Sequence, residues 1–195
     1  MTEYHLKSPF SEQDVRQLKA GDIVFFDGLL FGIRDLTQIY MFDQNHEPPV
    51  SLVGAPCIHT APSLRKVGDK WEKICVGTTT STRMERFTPD LIRKYGVRAI
   101  IGKGGLYQGS LDAMKEYGAV YLAIVGGAAA LETKQIEEIE AVYWEHLHPE
   151  ALYQFRVKDF GPLTVAMDSH GRHLYDEVKK EALERLPKIY RELGV

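Results

Sequence analysis

Between Val76 and Glu85 the chain reads Gly77-Thr78-Thr79-Thr80-Ser81-Thr82-Arg83-Met84, five hydroxyls ahead of one guanidinium. Gly77 frees the backbone where it must turn after an apolar segment. In alternating α/β sheets, ligands gather beyond the carboxyl ends of the strands, where backbone N–H groups, hydroxyls and cations can hold an anion. Arg83 has the planar fork that pairs bidentately with a carboxylate. A turn of this composition has a second reading, in which its hydroxyls satisfy their own backbone and Thr82 forms a capping box with Glu85. A second loop, Gly102-Lys103-Gly104-Gly105, follows the next strand, so Lys103 should project from the same edge. It is not a nucleotide-binding P-loop, because Gly104 stands where that motif needs Ser or Thr; taken alone it would be a solvent-exposed turn. Arg34, after the apolar stretch Ile23 to Phe31, is a third candidate cation, although Arg34 and Asp35 also read as a surface pair worth little. Three cations and a hydroxyl loop at strand ends suit a small polyanion such as a dicarboxylate. Among the histidines, His59 is kept as a possible site residue, while His146, His148, His170 and His173 read as structural.

These residues need elements to hold them. Hydrophobic periodicity predicts strands at Asp22 to Phe26, Lys73 to Val76, Val97 to Gly102, Ala119 to Val125, Ala151 to Val157 and Leu163 to Asp168. Thr88-Pro89-Asp90 reads as an N-cap followed by proline in the first turn, with Gly96 as the stop after Tyr95. Ser110 is the expected cap of a helix through Tyr117, and Thr133 of a charged helix through His146. From Lys73 to Val125 strand and helix alternate, the order that builds right-handed parallel crossovers. The turn Lys158-Asp159-Phe160-Gly161-Pro162 predicts an antiparallel hairpin near the end. Gln44 to Pro62 reads as a long loop, and Asp176 to Leu193 as a helix that Pro187 must kink or divide.

Composition bounds the class. The 195 residues are 44% hydrophobic and 26% charged, enough for a real core in a single domain spanning 1–195. With 24 Lys and Arg against 27 Asp and Glu, the net charge of −3 and the lack of like-charge blocks make nucleic acid or an anionic membrane unexpected partners. The longest apolar stretch, Ala119 to Leu131, is interrupted by Gly126-Gly127 and too short for a bilayer, so a soluble, cytoplasmic protein is expected. Cys57 and Cys75 form neither a disulfide framework nor a metal motif, and no metal-ligating residues are expected.

The two loops together resemble the beta subunit of the class I fumarate hydratases and L-tartrate dehydratases. The resemblance extends to Lys19-Ala-Gly-Asp-Ile-Val with Arg34-Asp35, to Gly68-Asp-Lys-Trp-Glu, and to Phe155-Arg-Val-Lys-Asp-Phe-Gly-Pro followed by Asp168-Ser-His-Gly, nearly the whole chain. It implies a swivelling β/β/α three-layer fold, with a central parallel sheet, a second antiparallel sheet and flanking helices. It further implies a hydro-lyase that reversibly dehydrates a 2-hydroxydicarboxylate, malate first and tartrate as the alternative, within a hetero-oligomer. A companion alpha subunit would carry a 4Fe-4S cluster through three cysteines, which two cysteines here could not supply. By the same resemblance Thr79 falls on the catalytic base, and Arg34, Arg83 and Lys103 fall on the ligands of the substrate carboxylates. The chain departs from that pattern where Thr78 replaces a proline and Gln38 a histidine. A non-catalytic anion-binding or assembly module of the same fold is the reading from another class.

Overall fold

In the computed structural model, which describes residues 1–194, the apolar run after Asp22 forms one strand, β2 (Ile23–Ile33), beside an opening strand β1 (Glu3–Lys7). The sheet continues in parallel through β3 (Pro56–His59), β6 (Ala99–Gly102) and β7 (Val120–Ala123). Antiparallel to β7 lies the long strand β9 (Leu152–Met167), and antiparallel to β9 lies β8 (Ile136–Tyr143). Because β9 also pairs along β2, from Thr164 opposite Ile23 to Tyr153 opposite Gly32, the strands β2, β3, β6, β7 and β9 close into a ring. A separate antiparallel pair, β4 (Ser63–Val67) and β5 (Lys70–Cys75), stands beside it. The architecture is therefore the expected mixed α/β one, with a central sheet that is parallel at its heart, a second antiparallel sheet and flanking helices.

Strands covered on both faces read as continuous apolar runs, and β6 shows why. Ala99 and Ile101 join Phe26, Phe155 and Phe160 in one core, whereas Ile100 packs with Leu91, Ile92 and Met114 in another. The second core is covered by α3 (Thr88–Tyr95) and α4 (Gln108–Tyr117), which end at Gly96 and Gly118 in the left-handed conformation, at φ 67° and 70°. Each buried Leu, Ile or Phe of this kind stabilises the fold by about 1.5–3 kcal/mol relative to exposure.

Several expectations are corrected. Lys73 to Val76 does not open the parallel sheet; most of it lies in β5, whose side chains alternate between exposed and half-buried. The parallel strand comes instead from inside the expected Gln44 to Pro62 loop, where the four residues of β3 are all buried. Four residues are too few to show a period, and proline is tolerated at the first position of a strand. The expected helix from Thr133 to His146 is 3₁₀ turns over Gly127–Gln135 followed by strand β8. Two bulges, between Ile136 and Glu138 and between Ile139 and Ala141, insert extra residues. They bring Ile136, Ile139 and Val142 onto the core at a spacing of three, which imitates a helix.

The expected hairpin at Lys158 to Pro162 is no reversal. Asp159 at φ 49° and Gly161 at φ 155° bulge a single strand that carries on along β2. Asp27 fixes this bulge by accepting from the Asp159 N–H at 2.7 Å and from the Lys158 ammonium. The tail, α5 (Leu174–Leu193), runs through Pro187 without dividing.

The helix caps also differ. Phe87, not Thr88, precedes α3, and the Thr88 hydroxyl donates back to the Met84 carbonyl at 3.1 Å. The start of α4 is held from another segment: the Glu85 carboxylate accepts from the Tyr107 N–H (2.8 Å), the Ser110 N–H (3.0 Å) and the Ser110 hydroxyl (2.7 Å). A carboxylate at a helix N-terminus satisfies orphan donors and complements the helix dipole. Glu85→Ala should therefore lower stability by about 1–3 kcal/mol, read as a lower urea midpoint with an unchanged denaturant slope.

Candidate functional site

The candidate residues meet at the carboxyl ends of the parallel strands. Arg34 follows β2, His59 ends β3, Lys103 follows β6, and Gly126 follows β7, with Lys103 Nζ running to 3.8 Å from where a Cβ at Gly126 would lie. The Thr loop is stitched between them. Thr79 N–H donates to the His59 carbonyl (2.8 Å), Ser81 N–H donates to the Lys103 carbonyl (2.8 Å), and Thr80 bridges Lys103 in parallel. Thr82 turns its hydroxyl to the Gly104 and Gly105 carbonyls at 3.3 and 3.2 Å. The alternative capping box is thereby absent, since Glu85 serves α4 and Thr82 serves the lysine loop. Thr78 donates to the His59 carbonyl at 3.2 Å, so its hydroxyl ties down a turn from which a proline is missing.

Beneath the loop lies a buried chain of polar groups. Tyr121 OH donates to Ser81 Oγ (3.0 Å) and accepts from the Gly105 N–H (3.3 Å), and Ser81 Oγ lies 2.9 Å from His59 Nδ1. Ser81 fits because residue 102 is glycine: a Cβ there would stand 2.0 Å from Ser81 Oγ. Burial disfavours the imidazolium and pushes the His59 pKa down to about 3, a shift that Arg83 reinforces and Asp35 opposes. His59 Nε2 is buried with no hydrogen-bond partner among the described residues, and so is Gln38 Oε1, whose amide Nε2 donates to the Arg34 carbonyl at 3.3 Å.

The cations are arranged around Asp35, at the start of the short helix α2 (Asp35–Gln38). Arg83 donates to Asp35 Oδ1 from Nε (3.3 Å) and to Oδ2 from Nη2 (2.9 Å), and Nη2 also reaches Thr79 Oγ1 at 3.4 Å. Arg34 Nε lies 3.4 Å from Asp35 Oδ2 and 3.5 Å from Glu150 Oε1. Burial raises the Asp35 pKa, but the Arg83 hydrogen bonds and the charges of Arg83 and Arg34 outweigh it and hold the carboxyl below its usual range. Arg34, Thr78 and Thr79 line a cavity of about 290 Å³ together with Ala61, Ser63, Cys75 and Gly77. Arg34, Thr79, Arg83 and Lys103 are thus brought to one rim, and three cations against Asp35 and Glu150 leave it positive. His59 is there too, as a buried support rather than an exposed ligand. The other histidines make local contacts: His146 packs edge-on against Tyr40, His170 Nε2 lies 2.9 Å from the Arg16 carbonyl, and His173 Nε2 lies 3.0 Å from the Leu106 carbonyl.

Asp35, Ser81, Tyr121 and Glu150 join the site without having been picked out as site residues. Asp35 had a sequence signal in its adjacency to Arg34, and Ser81 in its place within the hydroxyl loop; Tyr121 and Glu150 had none at short range. No group of three His, Cys, Asp or Glu that could hold a metal ion is gathered among the described residues. Cys57 is fully buried, which drives its thiol pKa upward, and Cys75 stands apart at the end of β5. No helix among the described residues is long and apolar enough to cross a membrane.

The model of the Fumarase C-terminus family matches residues 1–178. The chain belongs to the Fumarase C-terminus family. Within it, the L(+)-tartrate dehydratase subunit beta of Escherichia coli strain K12 is 38% identical over 189 residues, 96% of this chain and 94% of that one. A protein of Methanocaldococcus jannaschii provisionally named as the same subunit is 39% identical over 184 residues, 92% of this chain and 94% of that one. A Geobacillus stearothermophilus protein provisionally named as a class I fumarate hydratase is 42% identical over 186 residues, which cover 94% of this chain but only 36% of that longer one. In this member of the Fumarase C-terminus family, the buried His59 links stability to pH. Its native pKa lies below the ordinary 6.5, so the unfolded chain takes up a proton that the native one refuses. Stability present above pH 6.5 should drain away as the pH falls towards about 3. His59→Gln should flatten that fall, seen as a smaller loss of urea midpoint between neutral and acidic buffer.

Proposed function

We propose that this chain is the beta-type subunit of a hydro-lyase that reversibly dehydrates a 2-hydroxydicarboxylate, with malate as the first substrate to test and tartrate the second. The observation that carries the reading is the contact of Arg83 Nη2 with Thr79 Oγ1, at the rim shared with Arg34 and Lys103. Family membership and the names of the relatives support it. The tartrate reading draws on two relatives of nearly the same length, and the fumarate reading on one within whose longer chain this segment recurs.

In this reading Thr79 Oγ1 removes the proton from the carbon next to the hydroxyl-bearing one. A threonine hydroxyl is a very poor base in water, so its alkoxide has to be stabilised in place. Arg83, donating to that oxygen and fixed by Asp35, supplies the charge, and a preorganised donor of this kind is worth most when aimed where charge develops. Arg34, Lys103 and the outer edge of Arg83 hold the substrate carboxylates, with each guanidinium pairing in a plane and the ammonium acting as a point charge. Anchoring both ends of the diacid places one carbon over Thr79 and gives proton transfer its orientation. The His59 carbonyl fixes the Thr79 backbone, so the hydroxyl does not drift with its loop.

Cys57 and Cys75 lie in different strands, one of them sealed in the core, which supports placing the cluster outside this chain. The 4Fe-4S cluster and the departure of the hydroxyl belong, in this proposal, to a companion alpha subunit, and the working enzyme is a hetero-oligomer located in the cytoplasm. A non-catalytic module of the same fold would keep the rim but need no base.

Thr79→Val removes the hydroxyl at nearly constant volume. In the two-subunit enzyme it should cut kcat by at least about a hundredfold, in the range set by removing a general base, while assembly and the cluster's absorbance stay intact. Near-normal turnover would overturn the assignment of the base. Anaerobic assays of malate, tartrate and methylmalate side by side should rank the substrates, since one substituent in a fitted pocket shifts specificity by about 10–200-fold.

A further inference from the structure

One carboxylate touches both arginines of the rim. Asp35 grips Arg83 through Nε and Nη2, at 3.3 and 2.9 Å, and stands 3.4 Å from Arg34 Nε. An exposed ion pair would hold neither partner in place; here Arg83 is 47% exposed, but the Asp35 side chain that grips it is 28% exposed and the Arg34 side chain 30%. Asp35 is anchored in turn, because it opens α2, where the next N–H, that of Leu36, donates to Glu150 Oε2 at 2.7 Å. Thr37 OH donates to the Glu150 carbonyl and accepts from the Arg34 N–H at 3.2 Å. With Nε and Nη2 of Arg83 committed to Asp35 and Thr79, its Nη1 edge makes no hydrogen bond among the described residues, and neither do the two Nη groups of Arg34. The Asp35 carboxylate stands between the two guanidinium groups, hydrogen-bonded to Arg83 and in charge contact with Arg34.

We propose that Asp35 is a positioning residue whose carboxylate fixes the span between the Arg34 and Arg83 guanidinium groups, and thereby the length of diacid the rim accepts. This rests on the reading of the rim as a dicarboxylate site, and it goes further by assigning the length selectivity to a residue that touches no substrate. A guanidinium is a rigid planar fork, so rotating or moving its stem re-aims both of its outer N–H groups together. If the bridge is lost, each arginine finds its own angle, and affinity for diacids of every length falls to a similar, lower level. A merely stabilising ion pair would lower affinity for all of them equally and leave their ratio unchanged.

The test is calorimetric binding of succinate and glutarate, four- and five-carbon diacids without a hydroxyl, to the full chain, in complex with its companion where one co-purifies. The natural protein should prefer succinate by about tenfold or more, the scale of one methylene in a fitted site. Asp35→Asn should bring the ratio within about threefold of unity, with the melting temperature and any assembly retained. Should that variant lose stability, Asp35→Glu carries the test, because a bridge longer by one methylene should shift the preference towards glutarate. A natural protein that does not discriminate, or a ratio unchanged in the folded variants, overturns the proposal. Because the readout is binding, it is separate from the fate of the base: turnover retained by Thr79→Val would sink the mechanism and leave this ratio to be judged by itself.

Discussion

The Ser81 hydroxyl is the hinge pin of the molecule. It lies over Gly102 at the end of β6, hydrogen-bonded to Tyr121 from β7 and to His59 from β3, while its own N–H holds the Lys103 carbonyl. Three neighbouring parallel strands thus agree on the position of one loop. A buried polar network stabilises only when nearly all its members are satisfied, and then it specifies a single arrangement. Thr79 lies two residues before that pin and Arg83 two residues after it, so both inherit its rigidity. The loop is not the self-capping turn that its composition also allowed. It is a segment laid into the sheet edge by partners from elsewhere in the chain.

That difference marks where sequence stops being informative. Thr79, Arg83 and Lys103 were legible because hydroxyls and cations beside glycines, just after apolar runs, carry their meaning locally. α3 and α4 were legible for the same reason, having proline near the start of one and a glycine past the end of each. Asp35 was half legible: its adjacency to Arg34 was visible, but its stronger partner, Arg83, is 48 residues away. Glu85 shows the same limit, since the helix whose start it satisfies begins on another stretch of chain, and its spacing from Thr82 suggested a purely local role.

The errors in secondary structure share a physical origin. Periodicity assumes regular elements, and this sheet is irregular where it closes. Bulges in β8 turned a strand's spacing of two into three, and positive φ angles in β9 turned a continuous strand into an apparent hairpin. β9 forms the seam where the sheet meets itself, against β2, and β8 lies beside it; closing a sheet demands such local bending and extra twist. β3 failed differently, since a strand of four buried residues has no room to display a pattern.

The closure of the ring by β9 has a consequence for how the chain comes to its native state. β2 occupies positions 23 to 33, and its antiparallel neighbour does not begin until Leu152. On the ribosome all five parallel strands are made before the strand that seals them, so the nascent sheet stays open along β2 and β7 until most of the protein has emerged. Contacts between such distant positions carry a large loop-closure cost and slow folding. The open edges meanwhile offer unpaired backbone groups to any other strand nearby. The long strand that completes the barrel-like wall is therefore also what ends the period in which the newborn chain is most prone to wrong pairings.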